Sequence, residues 1–261
     1  MSYFGSDDVG FCILSGFDLL NNLTDINDFA EATFEETHTL GDSWVEQSPV
    51  GIAKFEVAIN GFYDDGDNLS VEALVGSSGS TGGKIGSTSV LTWAPEGNIV
   101  GQPFRGGVIV QKNVQRLPSR GALHKIAGTL VGSGPAEDGI ILKAYAASTG
   151  STGNTQATSF DGGSSSTKGG AGYFQLSSLT LPAASTAMTA YIRHSVDDTT
   201  WVDLITFTAS SAAVHQAGQR VATAASTTPV QRYLAGAWAT SDTAADSTFT
   251  FTGMLGFVRT R

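Results

Sequence analysis

Along residues 54–61 the chain reads KFEVAING, with Phe55, Val57 and Ile59 alternating against Glu56, Ala58 and Asn60. A period of two belongs to a strand with one face on a core and the other toward water. GGVIVQKNV (106–114), HKIAGTLV (124–131), GIILKAY (139–145), GYFQLSSLTL (172–181) and TAYIRHSV (189–196) are of the same kind. So are WVDLITFTA (201–209) and STFTFTGMLGFVR (247–259), all rich in β-branched and aromatic residues and bounded by Gly, Ser, Asp or Pro. Two segments break the rule. DLLNNLTDINDFAEA spaces Leu19, Leu20, Leu23, Ile26 and Phe29 roughly as a helix would, with an extended arm as the alternative. NLSVEALV follows the YDDGD turn and offers Asn68 or Ser70 as a helix cap. The pattern predicts a mainly β chain with at most one short helix per domain.

Two polar tracts interrupt the strands, GSSGSTGGKIGSTS (76–89) and STGSTGNTQATSFDGGSSSTKGG (148–170). Both are too polar to pack a core and read as long loops or linkers, the second, near the midpoint, as a domain linker or a loop opening the second half. Val114-Gln115-Arg116 is echoed by Val230-Gln231-Arg232, and each Arg is followed 27 residues later by a base, Lys143 and Arg259. Asp64-Asp65 and Asp197-Asp198 form a second pair. An internal duplication accounts for these matches, with coincidence as the alternative because HKIAGTLVGSG has no clean partner in WATSDTAADST. It implies an arm over 1–30, a first domain over 31–146 and a second over 147–261.

Composition narrows the function. No run of 18 apolar residues is present, so no membrane anchor is expected. The N-terminus carries acid where a secretory signal carries base, and a lone Cys12 excludes an internal disulfide framework. The net charge of −10 is uneven: residues 1–138 hold 7 Lys/Arg against 18 Asp/Glu, whereas residues 139–261 hold 7 against 6. Within 1–75, Lys54 stands alone against 15 acids. Such a surface does not grip nucleic acid, whose phosphates need bases to neutralise them.

No catalytic constellation emerges. SSGSTGGKIG misses a phosphate-binding loop, with Ser78 in place of the first Gly and Ile85 in place of the hydroxyl residue, and a strand-like GSTSVLTW follows. His194 lies near Asp197 and Asp198, but adjacent acids on a strand point to opposite faces, and an Asp-based turn is the expected reading. The four His are scattered, and no G-x-S-x-G, H-E-x-x-H or C-x-x-C occurs. No enzyme activity, cofactor or metal is expected.

In order along residues 30–261, several motifs resemble the major tail proteins of long-tailed bacteriophages. They are THTLGDSWVEQSPVGIAKFEVAINGFYDD (37–65), GALHKIAGTLVGSGPAEDGIIL (121–142), IRHSVDDTTWVDLITF (192–207), VQRYLAGAW (230–238) and FTFTGMLGFVR (249–259). Cys12 and the first 25 residues match nothing in that family. The resemblance implies a tail-tube fold, a β-sandwich or partly open barrel, in each of two domains. It also implies rings stacked into a conduit for DNA ejection, assembled in the host cytoplasm and located in the virion tail. Some such tubes use hexameric rings of single units and others trimeric rings of fused pairs, so a duplication favours the trimer. The partners implied are other copies of the chain and the tail proteins at the tube ends, with DNA passing through unbound. On this reading Asp42, Glu46, Glu56, Asp64, Asp65 and Asp67 are candidates to line the channel, and Arg116 and Arg232 to sit at equivalent subunit joints. A phage decoration or receptor-binding β-sandwich is the alternative, though no aromatic loop cluster or calcium-type Asp/Asn set points to a ligand.

Overall fold

The structure, a computed structural model, describes residues 9–31, 34–37, 46–49, 54–64, 70–75, 85–118, 120–150, 155–182, 185–211, 217–240 and 248–260. The chain opens with β1 (Phe11–Leu14), β2 (Phe17–Asp18), a 3-10 turn at Leu20–Asn22, β3 (Leu23–Glu31), β4 (Phe34–Thr37), β5 (Glu46–Pro49) and β6 (Lys54–Phe62). Next come α1 (Ser70–Val75), β7 (Thr88–Ala94), β8 (Pro103–Leu117), β9 (Lys125–Gly132) and β10 (Glu137–Gly150). The last part holds β11 (Thr155–Gln156), β12 (Phe160–Asp161), β13 (Gly170–Thr180), β14 (Met188–Ser195) and β15 (Val202–Thr206). It ends with β16 (Ala217–Ala222), β17 (Tyr233–Thr240) and β18 (Phe249–Arg259). Every strand pairing described is antiparallel. The mainly β class expected from the sequence is what the chain adopts.

The chain forms two compact units. The first comprises 1–21, 89–106 and 137–261, and the second comprises 22–88 and 107–136. The expected boundary at 146/147 therefore differs from the observed division, because β10 runs straight across it. The cause lies in the tract read as a linker. Thr155–Gln156 and Phe160–Asp161 pair with β17 in that tract, and Ser166 bridges Val230, so much of it is sheet.

In the first unit, strands run β16-β13-β18-β10, then the start of β8, then β7-β1-β2. A second sheet holds β11, β17, β14 and β15, with β12 also on β17. The two sheets pack face to face through Leu142, Phe174, Leu176, Ile192, Trp238 and Leu255, among others. The opposite face of β10, β13 and β18 is also covered: Ile141, Tyr173 and Met254 pack with Phe11, Ile13, Val90 and Phe104. Alternation places Phe174 and Leu176 on one side of β13 and Ala171 and Tyr173 on the other. With both faces dry, these strands read as near-continuous apolar runs, as buried sheets do. The first sheet curls so that β1 and β7 lie over β13, where buried Gln175 donates to the Val90 carbonyl at 3.0 Å and accepts from Gly16 N at 2.9 Å.

Glycine makes the room for this packing. A side chain at Gly139 on β10 or at Gly256 on β18 would run into the Phe104 ring, and one at Gly106 would meet Tyr173. Phe104 lies over these bare positions and meets Tyr173 edge-on, 5.4 Å between centroids at 69°.

The second unit is a four-stranded arrangement, β3-β6-β9 and the rest of β8. Phe55, Val57 and Ile59 are buried on one face of β6 as the alternation predicts, with Ile126, Leu130 and Ile109 beside them. The short helix expected in NLSVEALV forms as α1, whose Leu74 carbonyl accepts from the buried Gln111 amide at 2.5 Å. The helix expected over 18–32 does not form. Asp18 Oδ1 accepts from Leu20 N at 3.0 Å and closes a turn, after which Leu23–Glu31 pairs with β6. Thr24, Asp25, Asn27 and Asp28 have little helix propensity, so a neighbouring strand outcompetes the apolar spacing.

Gly139→Ala and Gly256→Ala are each expected to destabilise the fold by about 1–3 kcal/mol through overpacking against Phe104. Gly134→Ala, which would meet nothing within 4 Å, is expected to be neutral in the same urea titration. Equal midpoints for all three variants would show that Phe104 is not seated on bare backbone.

Candidate functional site

Three polar clusters of the first unit are set into its apolar frame. The first is Lys143 on β10, buried in a stretch where register shifts on either side of it break the ladder with β18. Its ammonium donates to the carbonyls of Ala144, Ala146 and Gly253 at 3.0, 2.9 and 2.6 Å. It lies 4.8 Å from the Phe251 ring centroid and 5.8 Å from that of Trp238. Burial pushes its pKa down to about 8.

The second cluster joins β10, β13 and β16. Arg220 Nε and Nη2 donate to Glu137 Oε2 and Oε1 at 2.6 and 2.5 Å, a fork on a carboxylate. The Tyr173 hydroxyl donates to the same Oε2, and the Arg220 guanidinium lies over the Tyr173 ring at 6.0 Å. Burial alone would raise the Glu137 carboxyl, but the Arg220 and Tyr173 hydrogen bonds outweigh it, and its pKa lies below the ordinary value. Burial and the adjacent Glu137 carboxylate push the Tyr173 phenol up.

The third surrounds a cavity of about 480 Å³ lined by Pro103, Ile140, Phe160, Leu234 and Phe257 with Asp138, Asp161 and Arg259. Asp161 accepts a fork from Arg232 at 2.7 and 2.6 Å, which with the Gly163 backbone N–H holds its carboxyl down at about 2. Asp138 pairs with Arg105 at 2.9 Å. Arg259 donates to the backbone carbonyls of Ser164 and Gln231. Both acids are matched by their own arginines, and Arg259 is committed to carbonyls, so the charge here ties loops to strands.

The residues singled out in the sequence are dispersed. Arg116 lies exposed near the end of β8, its guanidinium 5.8 Å from the Tyr63 ring centroid. Arg232 precedes β17 and is held by Asp161. Lys143 and Arg259, the other repeat pair, also differ, one buried against β18 and the other at the end of β18. The surroundings expected to match do not, so the duplication fails at its anchors. A three-residue identity, on β8 in one place and in the segment just before β17 in the other, produced it.

Among the channel candidates, Glu56 sits half-buried on β6, 3.7 Å from Lys112. Asp64 follows β6 and accepts from the Asn22 amide at 3.4 Å. Glu46 begins β5, and Asp42, Asp65 and Asp67 lie outside the described residues. Asp197 forms the expected turn, accepting from the Thr199 and Thr200 backbone at 3.0 and 2.8 Å, which drives its pKa down. Among the described residues no group of three His, Cys, Asp or Glu could hold a metal. The sequence reading missed Lys143 as a buried charge and the Glu137–Arg220 pair. A Lys inside the run GIILKAY was the one available signal for the former. Glu137 and Arg220 are 83 residues apart, with no local signature.

No protein-family model matches the chain, and no curated protein matches it either. Among solved structures it is similar to a component of the virion of a native gene transfer agent particle (TM-score 0.38, 10% identity, covering 52% of this chain and 98% of that one). It is also similar to a component of the tail of an empty gene transfer agent particle with C6 symmetry (TM-score 0.32, 10% identity, 44% and 80%). A third is the Dit protein of SPP1, described as a paradigm of the hub adsorption apparatus in phages infecting Gram-positive hosts (TM-score 0.35, 8% identity, 96% and 99%).

Lys143→Met is expected to lower stability by about 1–3 kcal/mol near neutral pH, because three backbone carbonyls lose their donor. The pH dependence supplies a sharper check. The folded ammonium releases its proton at about 8 and the unfolded one at the ordinary 10.5, so between these values the unfolded state binds more protons and stability rises with pH. Denaturation curves for wild type and Lys143→Met should diverge over that window in favour of wild type. Taking the difference removes the opposite contribution of Cys12, whose thiol burial raises to about 12. Parallel curves would contradict a buried ammonium.

On the acid side, Arg220→Met should cost about 2–4 kcal/mol at neutral pH by leaving the half-buried Glu137 carboxylate with a phenol as its one remaining partner. Because the folded carboxyl lies below its unfolded value of 4.5, wild type should lose this advantage as pH falls through that region. A pH-independent gap between the two proteins would refute the pairing.

Proposed function

We propose that the chain is a structural virion protein whose copies join into stacked rings to form a bacteriophage tail tube, the conduit through which DNA leaves the virion. The ordered series of motifs across residues 30–261 resembles that of major tail proteins. The observation that carries the reading is that the sheets end on open strands. Among the described residues β3 pairs only with β6, β15 only with β14 and β16 only with β13. An unpaired edge is an aggregation liability in a lone subunit and a joint in a closed ring.

Charge supports the same reading. A bore passing DNA, with one phosphate charge per ~1.7 Å of axis, works best when it offers no cations to hold it. Part of the set Asp42, Glu46, Glu56, Asp64, Asp65 and Asp67 lines that bore in this proposal, Glu56 contributing least because Lys112 is near it. The trimer rested on the duplication. With Arg116 and Arg232 in unlike settings, rings of six are the expected form, with other tail proteins capping the ends.

Purified protein viewed by negative-stain microscopy should show rings or tubes with a central hole. Monomers at every concentration that bind cells or glycans would replace this reading with the decoration or receptor-binding one.

A further inference from the structure

Two hairpin tips carry opposite charge beside exposed apolar side chains. The first ends the β8–β9 hairpin of the second unit. Residues 97–136 hold five Lys and Arg and not one Asp or Glu, in a chain of net charge −10. Three of the five, Arg116, Arg120 and Lys125, fall at this tip, where every described residue from Gln115 to Lys125 is exposed. Leu117 and Leu123 are 47% and 71% exposed, and Leu117 stands directly opposite Lys125, so the two share a face. The base is firm: Tyr63 N donates to the His124 carbonyl at 2.9 Å, and the Tyr63 ring lies against both Arg116 and His124. The acids of the same unit that come near Lys125 are engaged with amides, Asp25 with Asn27 and Asn60 and Asp64 with Asn22.

The second tip joins β14 to β15 in the first unit. Residues 196–203 hold Asp197, Asp198 and Asp203 and no base. Val196 and Val202 flank the turn at 69% and 58% exposed. Asp203 is answered by Arg193 at 2.7 Å. Asp197 is held by the turn itself, accepting from the Ser195 hydroxyl at 2.9 Å and from the Thr199 and Thr200 backbone, all neutral donors that leave its charge uncancelled. Those bonds fix the shape of the loop and leave Asp198 exposed at its corner. A stiff tip suits docking, because little side-chain or backbone freedom is lost when it binds.

We propose that the 115–125 tip of one copy docks against the 196–203 tip of a second copy, with Arg120 and Lys125 facing Asp197 and Asp198, and Leu117 and Leu123 covering Val196 and Val202. Cations beside leucines call for acid beside apolar surface, and the 196–203 turn supplies both within eight residues. Each tip is exposed in the single chain, so the pairing takes two copies. The contact is head-to-tail: each copy gives one tip and receives the other, and a closed ring leaves none unfilled. The inference rests on the self-assembly reading above and names one joint of it. Duplex DNA and anionic bilayers also attract a basic tip, but their charge is dense and of one sign, and a chain of net charge −10 is repelled as it approaches them.

The test uses the full chain, with every substitution at an exposed position and each variant checked for native circular dichroism. In sedimentation velocity, Arg120→Glu/Lys125→Glu and, separately, Asp198→Lys should each raise the assembly threshold about fivefold or more, with wild-type assembly weakening as salt rises. The chain carrying all three substitutions should assemble about threefold more readily than the Arg120→Glu/Lys125→Glu chain, because opposite charges face each other again. A loss of fold cannot produce that gain. Leu123→Cys and Val196→Cys chains, mixed under mild oxidation, should give a cross-linked dimer that neither gives alone, Cys12 being kept out by its burial. Charge-reversed chains that assemble like wild type, or a cysteine mixture that cross-links no more than its components, overturn the joint while leaving the tube reading standing. Wild-type chain that never associates overturns both. If wild type binds duplex DNA or phosphatidylserine vesicles, and only that binding is lost in the Arg120→Glu/Lys125→Glu chain, the basic tip serves that partner and the joint is wrong.

Discussion

A sheet that is apolar on both faces must be covered twice, and most of the first unit is arranged around that requirement. β10, β13 and β18 send Leu142, Phe174 and Leu255 to one side and Ile141, Tyr173 and Met254 to the other. The β14–β17 sheet covers the first side. Covering the second requires β1 and β7 to come over β13, which takes a strand from the start of the chain and another from its middle. The nesting of one unit's sequence inside the other follows from this need, because residues 137–261 alone lack the strands that cover the second face.

Dry faces set strict terms for any polar group that enters them. Gln175 satisfies both ends of its amide on backbone across the curl, and thereby ties β13 to the β1–β7 layer that covers it. Lys143 occupies an irregular part of the β10–β18 ladder, donating to carbonyls and resting its charge on Phe251. Glu137 answers Arg220 and Tyr173 together, linking three strands at the edge of the core. Each of these groups is costly if left unpaired, so each acts as a clamp. Phe104 performs the apolar counterpart, filling space that Gly139 and Gly256 leave open.

The strands were legible because period two and β-branched composition are local properties, and Lys54–Phe62 shows this with Phe55, Val57 and Ile59 buried as alternation predicts. The misread helix at 18–32 shows where local evidence ends. Apolar spacing there fits a helix, but an available edge on β6 decides the outcome. The duplication was a subtler error: Val-Gln-Arg occurs on β8 and again before β17, and identity of three residues carries no information about which strands lie alongside. The Glu137–Arg220 pair was invisible for the same reason, since 83 residues separate its partners. Charge asymmetry, in contrast, is a property of composition, and reading it needs no knowledge of the partners of any one strand.

That asymmetry and the open edges bear on each other. An acidic chain repels its own copies, with a force that reaches about 8 Å at physiological salt, so exposed strand edges are protected from indiscriminate pairing. Association then requires a local exception to the repulsion. Repulsion elsewhere penalises misaligned contacts, while attraction at one place rewards a single register. A ring of the kind proposed, closed in one geometry, needs both.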